Sequence, residues 1–344
     1  MEDQHPPIRY AHGSDDARIA FMRLGKGDPF IIEVPHIQMC HLELEWQLPA
    51  VKRWCQDIAR RHTLVRFDNR GSGLSRDQVG DFSLGSIADD IGCVADSLGL
   101  QRFALFGRIT GGLPAVMFAA LHPARVSRLI LWNGFASHQS HGGHSRMKAI
   151  LDLAGADWEL FTESISQAAL GWQDSAAARA WAGVLRQATT QDAFLRYLNA
   201  RTQWDVGPLL GSIRAKALIL HDQNNQLASA ERSQELAAAI PDAELATVTS
   251  MGGMPGADAI EVIEHFLTID PPETLSVPSL TARENEVMTL VITGASNQSI
   301  ADELGISINT VNRHLTHIFG KLGVNNRAQA ISFVLSRAAG SGSQ

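Results

Sequence analysis

Cysteine is scarce in this chain, long apolar runs are missing and basic charge is not in excess; each shortage removes a class of protein. Only three of 344 residues are cysteine, Cys40, Cys55 and Cys93. Their spacing suits neither a zinc site nor an even disulfide framework, so they read as reduced thiols acting as small buried hydrophobes. No metal and no cofactor is expected. No stretch of about 18 consecutive apolar residues occurs, which argues against a transmembrane helix and against a membrane partner. The N-terminus, MEDQHPPIRY, starts acidic and has no apolar core. A secretory signal is therefore not expected, and the cytoplasm is the expected compartment. The formal net charge of −7 argues against a protein that coats nucleic acid regardless of sequence.

What remains is an ordinary globular composition, 45% hydrophobic and 19% charged. The length suggests two domains. From Pro278 onward five basic residues (Arg283, Arg313, Lys321, Arg327, Arg337) face four acidic ones (Glu284, Glu286, Asp302, Glu303), so the acidic excess belongs to the longer N-terminal part. The tail is too weakly basic for composition to reveal a nucleic-acid partner.

Strand patterns at Ile8–Tyr10, Arg18–Arg23, Phe30–Val34, His62–Phe67, Arg102–Phe106, Val126–Trp132, Ala217–His221 and Ala243–Val248 run along the chain. Helical patterns at Ser86–Leu98, Gly111–Leu121, Ser229–Ala239 and Ala259–Leu267 are set among the later ones. Such alternation predicts a largely parallel sheet covered on both faces. From about Ala136 to Gly207 no strand is apparent, and helices carrying Trp158, Phe161, Trp172, Trp181, Phe194, Tyr197 and Trp204 interrupt the pattern. These aromatics serve either as plain core or as the wall of a cavity. The proline-rich stretch 269–279 reads as a linker. The expected division is 1–268, with the helical insertion at about 136–207, then the linker, then 280–338.

In the last part, Thr281 and Glu284 are spaced as a capping box for a first helix. Asn297 is expected to cap a second helix containing Ile300, Ala301 and Leu304, with Gly305 making the turn. Ser307 then caps a third, whose Val311, Leu315, Ile318 and Leu322 face inward, and Arg327–Leu335 forms a fourth. Two helices joined by a tight glycine turn, the second exposing polar residues, is the helix-turn-helix arrangement. Spacing alone also allows a small bundle that contacts protein. The runs Thr281-Ala-Arg-Glu284, Ser299-Ile300-Ala301, Ser307-Ile-Asn-Thr310-Val311, His314, Lys321-Leu322-Gly323-Val324 and Asn326-Arg327 closely resemble the LuxR/GerE-type DNA-binding domain. The resemblance implies a third helix that reads double-stranded DNA through Asn312, Arg313 and Thr316, with Ser307, Thr310 and Lys321 near phosphates. Arg313 contacts either a base or the backbone. The fourth helix, around Ile331 and Leu335, resembles the family's dimer contact, so a homodimer is expected.

Upstream, Phe103-Ala-Leu-Phe-Gly107-Arg108-Ile109-Thr110-Gly111-Gly112 resembles the strand–elbow–helix of α/β-hydrolases, over roughly residues 8–268. The insertion matches that fold's cap. Asp68-Asn-Arg-Gly71-Ser-Gly73, Leu218–Gln226 and Met251–Pro255 resemble its other loops. The fold class is therefore α/β plus all-α: a hydrolase-like sheet with a helical cap, followed by a four-helix LuxR-type domain. The elbow of that family reads G-x-S-x-G and presents a serine. Here Ile109 stands at its centre, a β-branched residue that is either strained in the turn or sits in a relaxed one. Asn225 stands where the acid would be, and Gly253 where the histidine would be. A serine needs a base and the base an acid. The expectation is thus a domain that is no enzyme. Its cavity would hold a small, fairly apolar ligand against Pro35, His36, Ile109, Thr110, Asn225, Gly253 and Met254, with Gly253 leaving room where an imidazole would stand. An active hydrolase that also binds DNA, and a partner-binding scaffold without ligand, are the alternatives.

Overall fold

The structure, a computed structural model, describes residues 5–13, 17–76, 81–137, 145–268, 280–292 and 295–322, together with 324, 327 and 330. The linker 269–279, Gly323, Asn326 and most of the expected fourth helix, including Ile331 and Leu335, lie outside the described residues. The chain divides into Met1–Thr268 and Ile269–Gln344.

The first unit is built on eight strands: β1 (Arg9–His12), β2 (Arg18–Leu24), β3 (Phe30–Val34), β4 (Thr63–Phe67), β5 (Phe103–Arg108), β6 (Val126–Trp132), β7 (Lys216–Asp222) and β8 (Ala243–Val248). They lie in the order β1-β2-β4-β3-β5-β6-β7-β8. The pairs β1–β2 and β2–β4 are antiparallel, and every later pair is parallel. Parallel strands must be buried on both faces, and β5 is buried at every residue. Because side chains alternate across a strand, Phe103 and Leu105 enter one core while Ala104 and Phe106 enter the other. The Gly112–Leu121 helix is apolar nearly all round because it is packed between sheet and neighbours, not laid on a surface. Two helices not anticipated above, Leu42–Trp46 and Pro49–Ala59, pack Leu42, Trp46 and Trp54 into the same core as Ala104 and Phe106.

The insertion folds into helices at Ser145–Ala156, Trp158–Ala169, Ser175–Ala188 and Gln191–Arg201. Its ends are tied together. Ser137 and Asp205 form an antiparallel bridge, and the Val206 amide donates to the Ala136 carbonyl over 2.8 Å. The cap therefore leaves and rejoins the sheet at one point, just beyond the end of β6. No helix among the described residues is long and apolar enough to cross a membrane.

The second unit has helices at Ala282–Ile292, Asn297–Leu304 and Ile308–Leu322 around a core of its own. The capping box forms as read: the Thr281 amide donates to Glu284 Oε2 over 2.6 Å, and the Glu284 amide to Thr281 Oγ1 over 3.3 Å. The second cap is corrected. Ser296, not Asn297, accepts the Ser299 amide over 3.1 Å, because its backbone is still extended where the helix begins. Asn297 is thereby released to donate to Asn312 Oδ1 over 2.8 Å and to accept from Arg327 over 3.2 Å. Gly305 ends that helix at φ 62°, a left-handed conformation in which a Cβ would be strained.

Candidate functional site: a capped cavity and a DNA-facing helix

Chain order reverses between β3 and β5, and their carboxyl ends lie side by side: Val34 pairs with Gly107. Open parallel sheets bind ligands at such a reversal. Just beyond it Ile109 adopts φ 52°. A β-branched residue there is a genuine outlier, costing roughly 1–3 kcal/mol. The elbow is thus kept in its strained form although its centre is isoleucine. Its flanking glycines explain how: a Cβ on Gly107 would stand 2.7 Å from the Gly112 Cα, and one on Gly111 would stand 2.2 Å from the Pro35 carbonyl oxygen.

Above the elbow, between sheet ends and cap, lies a cavity of about 110 Å³. That is several times the ~10–15 Å³ one water needs by the same measure. Met147, Leu151, Phe161, Ile165, Leu185 and Phe194 of the cap give it an apolar side. Of the residues proposed from sequence, His36, Ile109, Asn225 and Gly253 reach this wall. Pro35, Thr110 and Met254 do not. Thr110 is fully buried and its hydroxyl accepts the Ile37 amide over 2.9 Å, so that amide is already engaged. Met254 packs into the second core. The room expected at Gly253 is filled as well. A Cβ there would come within 3.2 Å of Trp181 Nε1, and this indole N–H donates to the Gly252 carbonyl over 2.8 Å. Of the cap tryptophans, Trp181 lines the cavity, Trp158 and Trp204 pack into the core, and Trp172 is exposed.

Sequence reasoning missed the polar half of the site: Arg108, Asn133, Arg201 and Asp222 all line the cavity. Arg108 and Asn133 sit at or after the ends of buried strands, where a polar residue interrupting an apolar run was the available signal. Nothing marked Arg201, which the cap delivers. Arg108 is anchored below by Glu33 at 2.9 Å and lies over the Trp181 ring at 5.8 Å. Burial pushes the Asp222 carboxyl above the usual carboxylate range, against hydrogen bonds from Ser250 and the Asn224 amide. Among the described residues no cluster of His, Cys, Asp and Glu is placed to hold a metal ion.

His36 is partly exposed, and it opens onto the cavity. Burial, with Arg108 and Arg201 adding to it, pushes its pKa down to about 3. The folded protein therefore keeps this imidazole neutral, while the unfolded chain protonates it below about 6.5. More protons are bound in the unfolded state, so stability falls as pH drops from about 6.5 toward 3, by at most about 1.4 kcal/mol per unit from this group. Urea midpoints from pH 7.5 to 4.5 should fall less steeply in His36→Gln than in the natural chain. Parallel curves would remove His36 as a source.

In the second unit, Val311, Leu315, Ile318 and Leu322 turn inward, as the spacing required. The opposite stripe, Asn309, Asn312, Arg313, Thr316 and His317, is exposed along one face of the same helix. The sequence reading named Asn312, Arg313 and Thr316 but passed over Asn309 and His317, though the three- and four-residue spacing includes them. Ser307 accepts the Thr310 amide over 3.1 Å and caps the helix. Thr316 returns its hydroxyl to the Asn312 carbonyl over 3.0 Å. Lys321 is tied to Glu284 over 2.6 Å. Arg313 is exposed and makes no ion pair among the described residues. Arg313→Ala should weaken DNA binding by about 1–3 kcal/mol and relax one base position if it reads a guanine. Titration against single-base variants of the bound site checks this: a uniform loss would place Arg313 on phosphate.

Comparison with known proteins fits both halves. The alpha/beta hydrolase fold family matches residues 48–253, and the luxR family of bacterial regulatory proteins matches 278–334. A putative carbamate hydrolase RutD of Pseudomonas savastanoi pv. phaseolicola is 29% identical over 56% of this chain and 78% of its own length. One from Caulobacter vibrioides is 26% identical over 64% and 80%. An esterase from Exiguobacterium antarcticum superposes with a TM-score of 0.62 at 18% identity, over 75% of this chain and 98% of the esterase. These relatives overturn the expectation that the domain is no enzyme. Proteins alike over most of their length are named hydrolases, and the altered positions Ile109, Asn225 and Gly253 argue only against a serine triad at those positions. The chain belongs to the alpha/beta hydrolase fold family, and its residues 278–334 add a DNA-binding domain of the luxR family of bacterial regulatory proteins.

Proposed function

We propose that the protein is a transcriptional regulator in which a small, mostly apolar molecule enters the capped cavity and changes the affinity of the second unit for DNA, the protein acting as a homodimer. The observation that carries this reading is the cavity itself, which sits at the strand-order reversal beneath a cap rich in apolar side chains. Pockets for small molecules are largely apolar with a few placed polar groups. A ligand shifts an equilibrium only if it binds the two states unequally. A DNA site selected from a random pool, titrated with full-length protein before and after saturation with a cavity ligand found by native mass spectrometry, tests this. A change of about fivefold or more, near 1 kcal/mol, is expected. Equal affinities at saturation would reject it.

A second reading is favoured by the relatives named hydrolases and by Asp222 at the cavity wall: the same cavity turns its ligand over. Asp222, with its raised pKa, is the group there suited to exchange a proton with a water. Short acyl esters and carbamates offered to the natural chain and to Asp222→Asn distinguish the two readings. Turnover above buffer that Asp222→Asn abolishes supports the second. Restoring a triad with Ile109→Ser, Asn225→Asp and Gly253→His is no simple control, since the new imidazole would meet Trp181.

A further inference from the structure

The cavity's polar groups are dominated by donors, and that imbalance describes its ligand. Asn133 follows β6 at φ 50°, a conformation asparagine tolerates better than most residues. It is 3% exposed, its amide donates to the Leu220 carbonyl over 2.9 Å, and its Oδ1 accepts the Asp222 amide over 2.9 Å. Both anchors fix the carboxamide, and its Nδ2 is left without a partner at the cavity wall. Buried donors are nearly always paired, so one held this firmly at the edge of a cavity calls for an acceptor from outside the chain. Arg108 and Arg201 line the same wall, both largely buried. Both guanidiniums also act on His36 at the cavity wall, adding to the burial that lowers its pKa. Among the described residues the only carboxylate on the wall, Asp222, already accepts the Asn224 amide over 3.0 Å. Ser166, Tyr197 and Asn225 add uncharged polar groups to the lining, and Met147, Leu151, Phe161 and Phe194 give it an apolar side.

We infer that the cavity takes small apolar molecules that carry a carboxylate, held at Asn133 Nδ2 and the guanidiniums of Arg108 and Arg201 with the hydrocarbon part beneath the cap. A carboxylate offers about four lone-pair directions on two oxygens, and guanidinium groups meet it with paired N–H donors. The carboxylate would meet donors already in place: Asn133 Nδ2, Arg201, and the Arg108 guanidinium that Glu33 anchors. The inference rests on the ligand-binding reading above and narrows it.

The test uses the full chain and two matched pairs, octanoate with octanamide and 3-phenylpropionate with its primary amide, by titration calorimetry. At least one acid should bind ten times or more tighter than its amide. Asn133→Asp keeps the Oδ1 acceptor for the Asp222 amide and replaces the donor with a charge. It should weaken that acid tenfold or more and remove the acid's preference over its amide. If an amide binds as well as its acid, the carboxylate inference falls while the ligand-binding reading stands. If Asn133→Asp leaves the acid's affinity unchanged, the inference also falls. If neither acid binds, the carboxylate inference falls, and the ligand-binding reading stands or falls on its own DNA titration.

Discussion

Glu33→Ala should destabilise the first unit by about 3–5 kcal/mol, the usual cost of breaking a buried ion pair from one side. Glu33 lies in the middle of the sheet with no exposed surface. One oxygen is 2.9 Å from Arg108 and 3.2 Å from Arg66, and the other accepts the Trp54 indole N–H over 2.8 Å. Burial works against its charge, yet Arg66, Arg108 and Trp54 outweigh it and hold the carboxyl below the usual range. Glu45 completes the group, 2.6 Å from Arg66 and 3.6 Å from Arg108. Two guanidiniums therefore face two carboxylates, and the group is close to neutral as a whole. Removing Glu33 leaves two buried cations to share one anion and strands the indole N–H. For a unit of this size the melting temperature should fall by roughly 6–20 °C. Loss below 1 kcal/mol would mean that water reaches the group. Because Arg108 continues upward to the cavity, the same variant should disturb ligand binding. A well-packed apolar replacement of all four charged residues need not be destabilising, so the cost belongs to the uncompensated charge and not to the pair's net worth.

Gly111→Ala is expected to be comparably damaging through geometry alone. The added methyl would stand 2.2 Å from the Pro35 carbonyl oxygen and 2.4 Å from that of Val34. Both are backbone atoms at the end of β3, so no side chain can swing aside. Either the Gly112–Leu121 helix lifts from the sheet or β3 shifts, and Ile109 moves with them. Overpacking costs typically about 1–3 kcal/mol and more where backbone must move; the upper end or beyond is expected here, read from urea midpoints. Gly85→Ala is the control. Nothing stands within 4 Å of its added carbon, and it lies in the Leu84–Ser97 helix, where alanine is favoured by roughly 0.5–1 kcal/mol. If both variants behaved alike, the close approach at Gly111 would not be what holds the elbow.

Most of the architecture was legible because local rules and global packing agree over it. Val126–Trp132 was read to the residue, since a continuous apolar run leaves one way to bury it; Ala243–Val248 was too, although only Val248 is buried there. The inward stripe of the last described helix was legible for the same reason. The cap Ser296 was misread as Asn297 because either residue type serves, and only the backbone angle decides which is last outside the helix. Leu42–Trp46 went unread because it is a single short turn with a buried Glu45, whereas Pro49–Ala59 was passed over although Val51, Trp54, Cys55 and Ile58 keep the helical spacing.

By itself the sequence determined the two-part plan, the hydrolase-like elbow with isoleucine at its centre, and the polar face of the Ile308–Leu322 helix. These are carried by contiguous residues whose spacing has a local meaning. Tertiary structure alone decided what the cavity is. It brought Asn133, Arg201 and Asp222, separated by tens of residues, to one wall, and it filled the place beside Gly253 with Trp181. It also spent the Thr110 hydroxyl on a backbone amide. Whether a polar atom is free or engaged depends on partners distant in the chain, and spacing carries no record of them.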